Sequence, residues 1–333
     1  MIARCPLCDG DEATRLLESR DRVHDLPGRF TIFGCRRCRA LFIDPWLTPE
    51  QLAPYYPEHY GRYRVSRSLE KRNRSGLRRF VLENYYGYPH ARRGRDGGLK
   101  KAAAFVLSFA MARNAVRYHG EGKFLDVGCG GGSYLYRLKQ LGWNVYGVEP
   151  SPAGALQAQS LGVNVCQGEL QGASFPESFF DAIRLSHVLE HLTDPQGTLR
   201  EISRILKPDG LVYVTVPNTR SLNFWLFGKE WYSLDTPRHV ISYSPSALKF
   251  LCDATGFDIV KLRFSSGAFN FVRSVKYLLE EKGDRWPLWL RRINWPRNKL
   301  IRRTLKPFFF MIDQIRLGDV MVAILRKNHS AER

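Results

Sequence analysis

The stretch that most constrains this chain runs from Lys123 to Lys139. A short apolar run, Lys123-Phe124-Leu125-Asp126-Val127, passes directly into Gly128-Cys129-Gly130-Gly131-Gly132-Ser133, and Tyr134-Leu135-Tyr136-Arg137-Leu138-Lys139 then starts a helix. A short apolar run bounded by turn signals reads as a buried strand. Strand, glycine turn and helix together bring a ligand onto a helix N-terminus, where backbone N–H groups lack partners. Glycine serves there because a ligand must approach the main chain closely and the turn needs φ/ψ that other residues resist. The run departs from G-x-G-x-x-G at Ser133, and Asp126 stands two residues ahead of the first glycine. A carboxylate at that point would repel a pyrophosphate, but it suits a ligand with a cationic amino group.

Four more strands follow in the same style. Residues 143–148 lead to Glu149-Pro150, an acidic tip about 20 residues past the glycine turn, where a carboxylate can accept both hydroxyls of a ribose. Residues 163–166 run into Gln167-Gly168-Glu169-Leu170, and residues 180–185 run into Ser186-His187-Val188-Leu189-Glu190-His191. Residues 210–217 form the fifth strand, with 257–264 and 318–326 as a sixth and seventh, the last antiparallel in the edge region of the sheet. Strands alternating with helices specify a doubly wound α/β sheet.

The front of the chain is different. Cys5-Pro6-Leu7-Cys8 and Cys35-Arg36-Arg37-Cys38 are two CxxC turns with 26 residues between them. Each turn can offer two thiolates to one tetrahedral ion at about 2.3 Å, so Cys5, Cys8, Cys35 and Cys38 together fill a structural zinc site with no position left for water. A redox reading is the alternative, but neither CxxC opens a helix in a βαβ setting. Cys129, Cys166 and Cys252 stand singly, and seven cysteines in all do not suit a disulfide framework. Residues 29–33 and 41–43 read as strands of a ribbon around the second turn. Thr48-Pro49-Glu50-Gln51 reads as a capped helix start. The expected organisation is a four-cysteine domain over 1–45, a basic helical connector over 46–118, and an α/β domain over 119–333 with a helical insertion at 268–317.

The net charge of +19 is unevenly placed. Residues 61–118 hold 15 basic and 3 acidic side chains, and residues 273–306 hold 11 and 3, while the rest of the chain is close to neutral. Such concentration suits an anionic partner or a solvated Arg-rich surface. No run of apolar residues is long enough for a membrane span, and the first residues lack the apolar stretch of a secretory signal, so a cytoplasmic location is the expectation.

Taken in order, LDVGCGGGSYL, GVEPS, SHVLEHLTDP and RILKPDGLVYVTVPN resemble the class I S-adenosylmethionine-dependent methyltransferases over about residues 119–265. With CPLC and CRRC in front, the chain is similar to bacterial members that modify sugars, polysaccharides or natural products. The resemblance implies a seven-stranded Rossmann-like sheet with S-adenosylmethionine as cofactor. It places Asp126, Gly128, Cys129 and Gly130 on the methionine part, Glu149 and Pro150 on the ribose, Glu169 and Leu170 on the adenine, and Ser186 and His187 beside the methyl donor. Glu169 stands where the family often has the shorter Asp, so the adenine contact there can run through the main chain. A Rossmann domain for NAD, or one that binds nothing, is the alternative.

Methyl transfer to a hydroxyl needs a base near the ends of the fourth and fifth strands. His239, in Trp231-Tyr232-Ser233-Leu234-Asp235-Thr236-Pro237-Arg238-His239-Val240, is the first candidate and His187 the second. His239 could equally anchor its loop, and His191 could serve a backbone group. Arg238 could hold an anionic acceptor. Glu190 and His191 read as lying on the helix after the fourth strand, where Glu190 and Asp194, at i and i+4, make a weak metal pair. Residues 268–317 interleave Trp286, Trp289 and Trp295 with Arg285, Arg291, Arg292 and Arg297, then Phe308-Phe309-Phe310-Met311. They read as a lid, as a dimer interface, or as an element lying on an anionic membrane at its inner face. The leading function is O-methylation of a small-molecule or glycan acceptor, one that can be lipid-linked. An RNA methyltransferase using the basic face and a non-catalytic cofactor-sensing adaptor are the alternatives, with nucleic acid ranked below membrane as a partner.

Overall fold

The computed structural model describes residues 4–56, 76–89, 98–111, 115–281 and 303–328. The front of the chain forms β1 (Ala13–Ser19), β2 (Phe30–Cys35), β3 (Leu41–Asp44) and α1 (Pro49–Leu52), then α2 (Gly76–Asn84) and α3 (Gly98–Met111). The central part runs β4 (Lys123–Val127), α4 (Ser133–Lys139), β5 (Asn144–Glu149), α5 (Pro152–Ser160), β6 (Asn164–Gln167), β7 (Phe180–Ser186), α6 (Pro195–Ile205) and β8 (Leu206–Pro217). The remainder adds α7 (Leu222–Phe227), β9 (Ile241–Ser242), α8 (Pro245–Ala254), β10 (Phe257–Ser265), α9 (Ala268–Glu281), α10 (Lys306–Gln314) and β11 (Val320–Lys327).

Seven strands make one sheet in the order β10-β11-β8-β7-β4-β5-β6. β4 pairs in parallel with both β5 and β7, and β5 in parallel with β6. The chain therefore winds outward from β4 in one direction through β5 and β6, and returns on its other side through β7 and β8. This is the doubly wound arrangement, and ligands bind where the winding reverses, at the carboxyl ends of the central strands. The central strands are apolar on both faces because helices cover both: Phe124, Leu125, Phe180, Ala182, Ile183 and Leu185 are fully buried. Local signals set the helix starts. Ser151 accepts from Gly154 N–H with Pro152 next to it, Ser244 accepts from Ala247 N–H with Pro245 next to it, and Thr48 and Gln51 form the expected capping box.

Two compact units divide the chain. One comprises Met1–Pro57, His187–Gly197 and Val214–Leu325. It contains a second, four-stranded sheet ordered β1-β2-β3-β9. The other comprises Glu58–Ser186, Thr198–Tyr213 and Arg326–Arg333, and contains β4 to β7.

Several elements differ from the sequence expectation. β1 and β9 are additional: β1 carries a bulge between Arg15 and Leu17 that spoils its alternation, and β9 is two residues long. β8 begins at Leu206 instead of residue 210, because Ser178 N–H donates to Arg204 O and Phe179 N–H to Ile205 O, starting the ladder early. β11 lies one place in from the edge, with β10 outside it. Glu190 and His191 stand in a 3-10 turn (Leu189–His191) and not in a helix; His187 at φ 56° interrupts the run, and α6 begins only at Pro195. The tryptophan–arginine stretch at 285–297 and parts of the basic connector, residues 57–75, 90–97 and 112–114, lie outside the described residues.

Candidate functional site

The glycine turn after β4 is held in place by the tip of β5. Gly128 N–H and Cys129 N–H both donate to Val148 O, and Gly130 N–H donates to Glu149 Oε2 at 2.7 Å. Glu149 Oε1 accepts from Ser151 N–H at 3.0 Å, and its carbonyl accepts from Gly168 N–H in the loop after β6. The carboxylate is 6% exposed, and burial raises its pKa despite the two amide donors. Three expected cofactor segments, at 128–130, at Glu149-Pro150 and before Glu169-Leu170, are thus tied through one residue.

Gly128, Gly130 and Gly132 have φ of 67°, 56° and 71°, a region costly for side chains. At Gly132 packing adds to this, since a Cβ there would sit 2.6 Å from the Ala158 Cβ of α5. Cys129 is buried with Sγ against Gly147, so it can meet a ligand only through its main chain. Leu170 is buried, while Glu169 is exposed.

Asp126 is 2% exposed, and both its oxygens accept from Arg184 Nη1, at 3.0 and 2.9 Å. Arg184 also lies over the Tyr134 ring at 4.0 Å. Burial pushes the Asp126 carboxyl up to about 6, against the pull of Arg184. A ligand ammonium reaching Asp126 would share it with this guanidinium.

A second cluster gathers the histidines singled out from sequence. His187 follows Ser186, the last residue of β7, and its N–H donates to Thr215 O. Its side chain is 31% exposed, and Nδ1 lies 3.0 Å from Glu190 Oε1. Glu190 is fully buried. Burial alone would raise its pKa, but the hydrogen bond and charge of His187, with His239 and His191 behind, bring it down to about 2. His239, 5% exposed, holds Ser233 O from Nδ1 at 2.8 Å, and its ring centroid is 4.6 Å from that of His191. His191 Nδ1 reaches Arg238 O at 2.9 Å and the Tyr56 hydroxyl at 2.8 Å. Tyr55 instead bonds Pro27 O and packs edge-on to Phe30.

Two expectations are corrected here. Arg238 is fully buried: it donates to Asp21 Oδ1 at 2.7 Å, to Asp235 Oδ1 at 2.6 and 3.0 Å, and to Tyr55 O. A guanidinium with two carboxylate partners inside the protein pins the loop and is not offered to an anionic acceptor. Glu190 and Asp194 do not form a pair on a helix face; Asp194 accepts from Gly197 N–H in the first turn of α6, and Glu190 turns to the histidines. The sequence reading also passed over Asp319. It accepts from Trp231 Nε1 at 2.7 Å, Asn270 Nδ2 at 2.7 Å and Ser233 Oγ at 3.3 Å, and so fixes the residue whose carbonyl orients His239.

At the front, the four cysteines converge, with Cys5 and Cys38 sulfurs 3.6 Å apart and Cys8 and Cys35 sulfurs 3.5 Å apart. A tetrahedron of sulfurs at 2.3 Å from a central zinc has edges of about 3.8 Å, so the set fits that ion with little change. The thiols perturb one another strongly. The hydrogen bond from Cys38 brings Cys5 down to about 5, Cys38 is raised by the same contact, and burial pushes Cys8 up to about 11.

Residues 92–262 match a family described as methyltransferase domain. Among curated proteins, the ubiquinone biosynthesis O-methyltransferase of Azoarcus sp. (strain BH72) is 30% identical over 177 residues, 49% of this chain and 74% of that protein. The protein of the same name from Azorhizobium caulinodans is 28% identical over 152 residues, 42% of this chain and 60% of that protein. The chain spans about half to three quarters of the length of such relatives. A solved S-adenosylmethionine-dependent methyltransferase from Archaeoglobus fulgidus aligns with a TM-score of 0.45 at 22% identity, over 67% of this chain and 93% of its own. The family match takes in the glycine turn, Glu149 and the histidine loops, more than half of the residues. This chain belongs to the S-adenosylmethionine-dependent methyltransferases.

Proposed function

We propose that this chain transfers a methyl group from S-adenosylmethionine to a hydroxyl oxygen of a small-molecule acceptor, with His187 taking the proton. S-adenosylmethionine, when bound, supplies an electrophilic methyl on a sulfonium, and the neutral thioether that leaves needs no acid. Glu149 would hold the ribose hydroxyls, its carboxylate held in place by two amide donors. Asp126 with the 128–130 backbone would take the methionine end, and Leu170 with the main chain of Glu169 the adenine. Ser186 would flank the donor.

One observation carries the choice of base. The His187 Nδ1–H faces the fully buried Glu190 carboxylate, which leaves Nε2 of a 31% exposed ring as the lone-pair nitrogen. A carboxylate behind an imidazole fixes the tautomer and stabilises the imidazolium that forms. His239 is more deeply buried, so we assign it the lesser part in proton transfer. The relatives named ubiquinone biosynthesis O-methyltransferase support oxygen as the reacting atom. Cys5, Cys8, Cys35 and Cys38 would hold a structural zinc ion.

A second feature bears on the acceptor. Phe308, Phe310, Met311 and Ile315 are 43%, 58%, 66% and 62% exposed, and the exposed Arg303, Lys306 and Arg316 flank them in the sequence. Exposed apolar side chains with cations near them in the chain favour an acceptor met at an anionic lipid surface. The deciding experiment supplies labelled S-adenosylmethionine and the chain to small-molecule, lipid, glycan and RNA fractions of the source cell. Label recovered as a methyl ether on a small molecule or lipid supports the proposal. Label confined to RNA, or no transfer by a chain that binds S-adenosylhomocysteine, refutes it.

A further inference from the structure

We propose that Glu190, His191 and His239 form a second metal site, for a divalent transition-metal ion, separate from the four-cysteine cluster. One ligand atom from each of the three residues lies within 4.8 Å of the others. Both imidazoles already have the backbone hydrogen bond that supports a metal ligand. His239 Nδ1 is 2.8 Å from Ser233 O, and His191 Nδ1 is 2.9 Å from Arg238 O. A carbonyl can only accept, so each Nδ1 carries the hydrogen, and in the neutral ring each Nε2 keeps its lone pair. Metal-bound histidines characteristically donate their other N–H to a backbone carbonyl or carboxylate, which fixes tautomer and ring angle. The Tyr56 hydroxyl, 2.8 Å from His191 Nδ1, accepts from the same N–H.

The third ligand is independent of the histidines. Glu190 is fully buried, and Oε1 is occupied by His187 Nδ1 at 3.0 Å. Oε2 has no hydrogen-bond partner among the described residues. A buried carboxylate oxygen without a donor is costly, and a cation is what compensates it. His239 Nε2 lies 3.9 Å from Glu190 Oε1 and 3.8 Å from Asp235 Oδ2, so the lone pair of that ring points among carboxylates.

The donor set selects the ion. Two imidazoles and a carboxylate suit zinc, cobalt, iron or nickel, whereas magnesium and calcium prefer oxygen alone. Ligands at about 2.0–2.2 Å from one ion lie about 3–4 Å from each other, so groups within 4.8 Å need draw together by at most about 1–2 Å. Three protein ligands leave a coordination position open, unlike the cysteine cluster, which is closed. An ion there can act as a Lewis acid on a bound oxygen, and that use would rest on the methyl-transfer reading. Occupancy of the site does not.

The test is a titration of Co2+ into the full chain with its cysteine cluster filled with zinc, followed by visible absorption and metal analysis. Cobalt on imidazole and carboxylate gives weak visible bands without the intense thiolate charge-transfer band. The proposal expects one further equivalent with that signature. Glu190→Gln and His191→Asn should each weaken it at least about tenfold, the loss expected when a ligand or its support is removed. Zinc at the cysteines and binding of S-adenosylhomocysteine report that each variant is folded; if Glu190→Gln fails that check, His191→Asn, at a half-exposed position, decides. Uptake of the cysteine-bound ion alone, a thiolate band from the added cobalt, or a further equivalent that persists in the folded variants overturns the proposal.

Discussion

Glu149 accepts the Gly130 N–H on Oε2 at 2.7 Å, so the acidic tip of β5 and the glycine turn after β4 form one hydrogen-bonded structure. Its other oxygen holds Ser151 N–H at the start of α5. Glu149→Ala removes the acceptor of two amides in a buried setting, which costs about 1–3 kcal/mol for each donor left unsatisfied. The expected outcome is a lower unfolding midpoint and at least a tenfold loss of S-adenosylhomocysteine affinity in calorimetric titration. Glu149→Gln keeps one acceptor oxygen, so it should recover part of the stability while binding stays weak.

Asp126 gives a prediction in pH. Burial raises its folded pKa from 3.8 to about 6, so between those values the folded chain holds a proton that the unfolded chain has released. Stability contributed by this group therefore falls as pH rises from about 4 to about 6, the reverse of an ordinary salt-bridged carboxylate. If the ionised form receives the amino group of the cofactor product, affinity for S-adenosylhomocysteine should rise with pH across the upper part of that window. Asp126→Asn should bind more weakly at pH 7 and lose the part of the slope centred near 6. An equal slope in both proteins would remove Asp126 from the binding site.

How much of this was readable beforehand depends on the range of the interactions. The β4–turn–α4 segment, the acidic tip at Glu149, the CxxC pairs and the Thr48 cap are local patterns, and each stands where the sequence put it. The burial of Arg238 is not legible, because beside the neighbouring Asp235 its other carboxylate partner, Asp21, lies more than two hundred positions away. Asp319 is hidden for the same reason: its donors Trp231, Ser233 and Asn270 come from one distant loop and a helix start. The turn at Leu189–His191 reads as part of a helix from sequence alone; a left-handed His187 breaks it, and no glycine marks the break.

His187 and Glu190 make separable predictions. His187→Gln should lower kcat by about 10²–10⁴-fold, the range expected for a lost general base, while S-adenosylhomocysteine affinity stays unchanged. Loss of both together would mean a structural role. Glu190 is the opposite of Asp126 in sign: its pKa falls from 4.5 to about 2 on folding, so its contribution is complete above about 4.5 and is lost as pH drops toward 2. Glu190→Gln should therefore narrow the stability gap to the native chain as the pH is lowered through that interval, measured by denaturant unfolding.

The cysteine cluster should tie metal content to folding. Cys8→Ser removes one of four ligands, and thiolate-bound zinc per chain, measured by metal analysis, should fall from one towards zero. β2 and β3 flank the second CxxC turn, and Cys35 ends β2. Amide hydrogen exchange should therefore speed up first in that hairpin, since metal binding is coupled to the folding of small ribbons. Exchange in β4 and β5 should change little, because those strands are covered by their own helices. Unchanged hairpin exchange in zinc-free protein would show that the four thiols hold together without an ion.

The exposed face of α10 can be tested against lipid directly. Phe310 and Met311 are more than half exposed and Phe309 is buried, so a double Phe310→Ser, Met311→Ser substitution removes apolar surface without opening the core. Inserting such side chains into a headgroup region contributes about 25 cal/mol for each Å² removed from water, and the flanking Arg303, Lys306 and Arg316 add attraction only when the lipid is anionic. The native chain should float with phosphatidylserine-containing vesicles, float less as salt rises, and stay behind with neutral ones; the double variant should stay behind with both, at unchanged melting temperature. Flotation that ignores the substitution but follows salt would assign the attraction to charge elsewhere on the chain. Absence of flotation under all conditions would mean that an acceptor reaches this enzyme from solution, and that the apolar face of α10 answers to protein contacts.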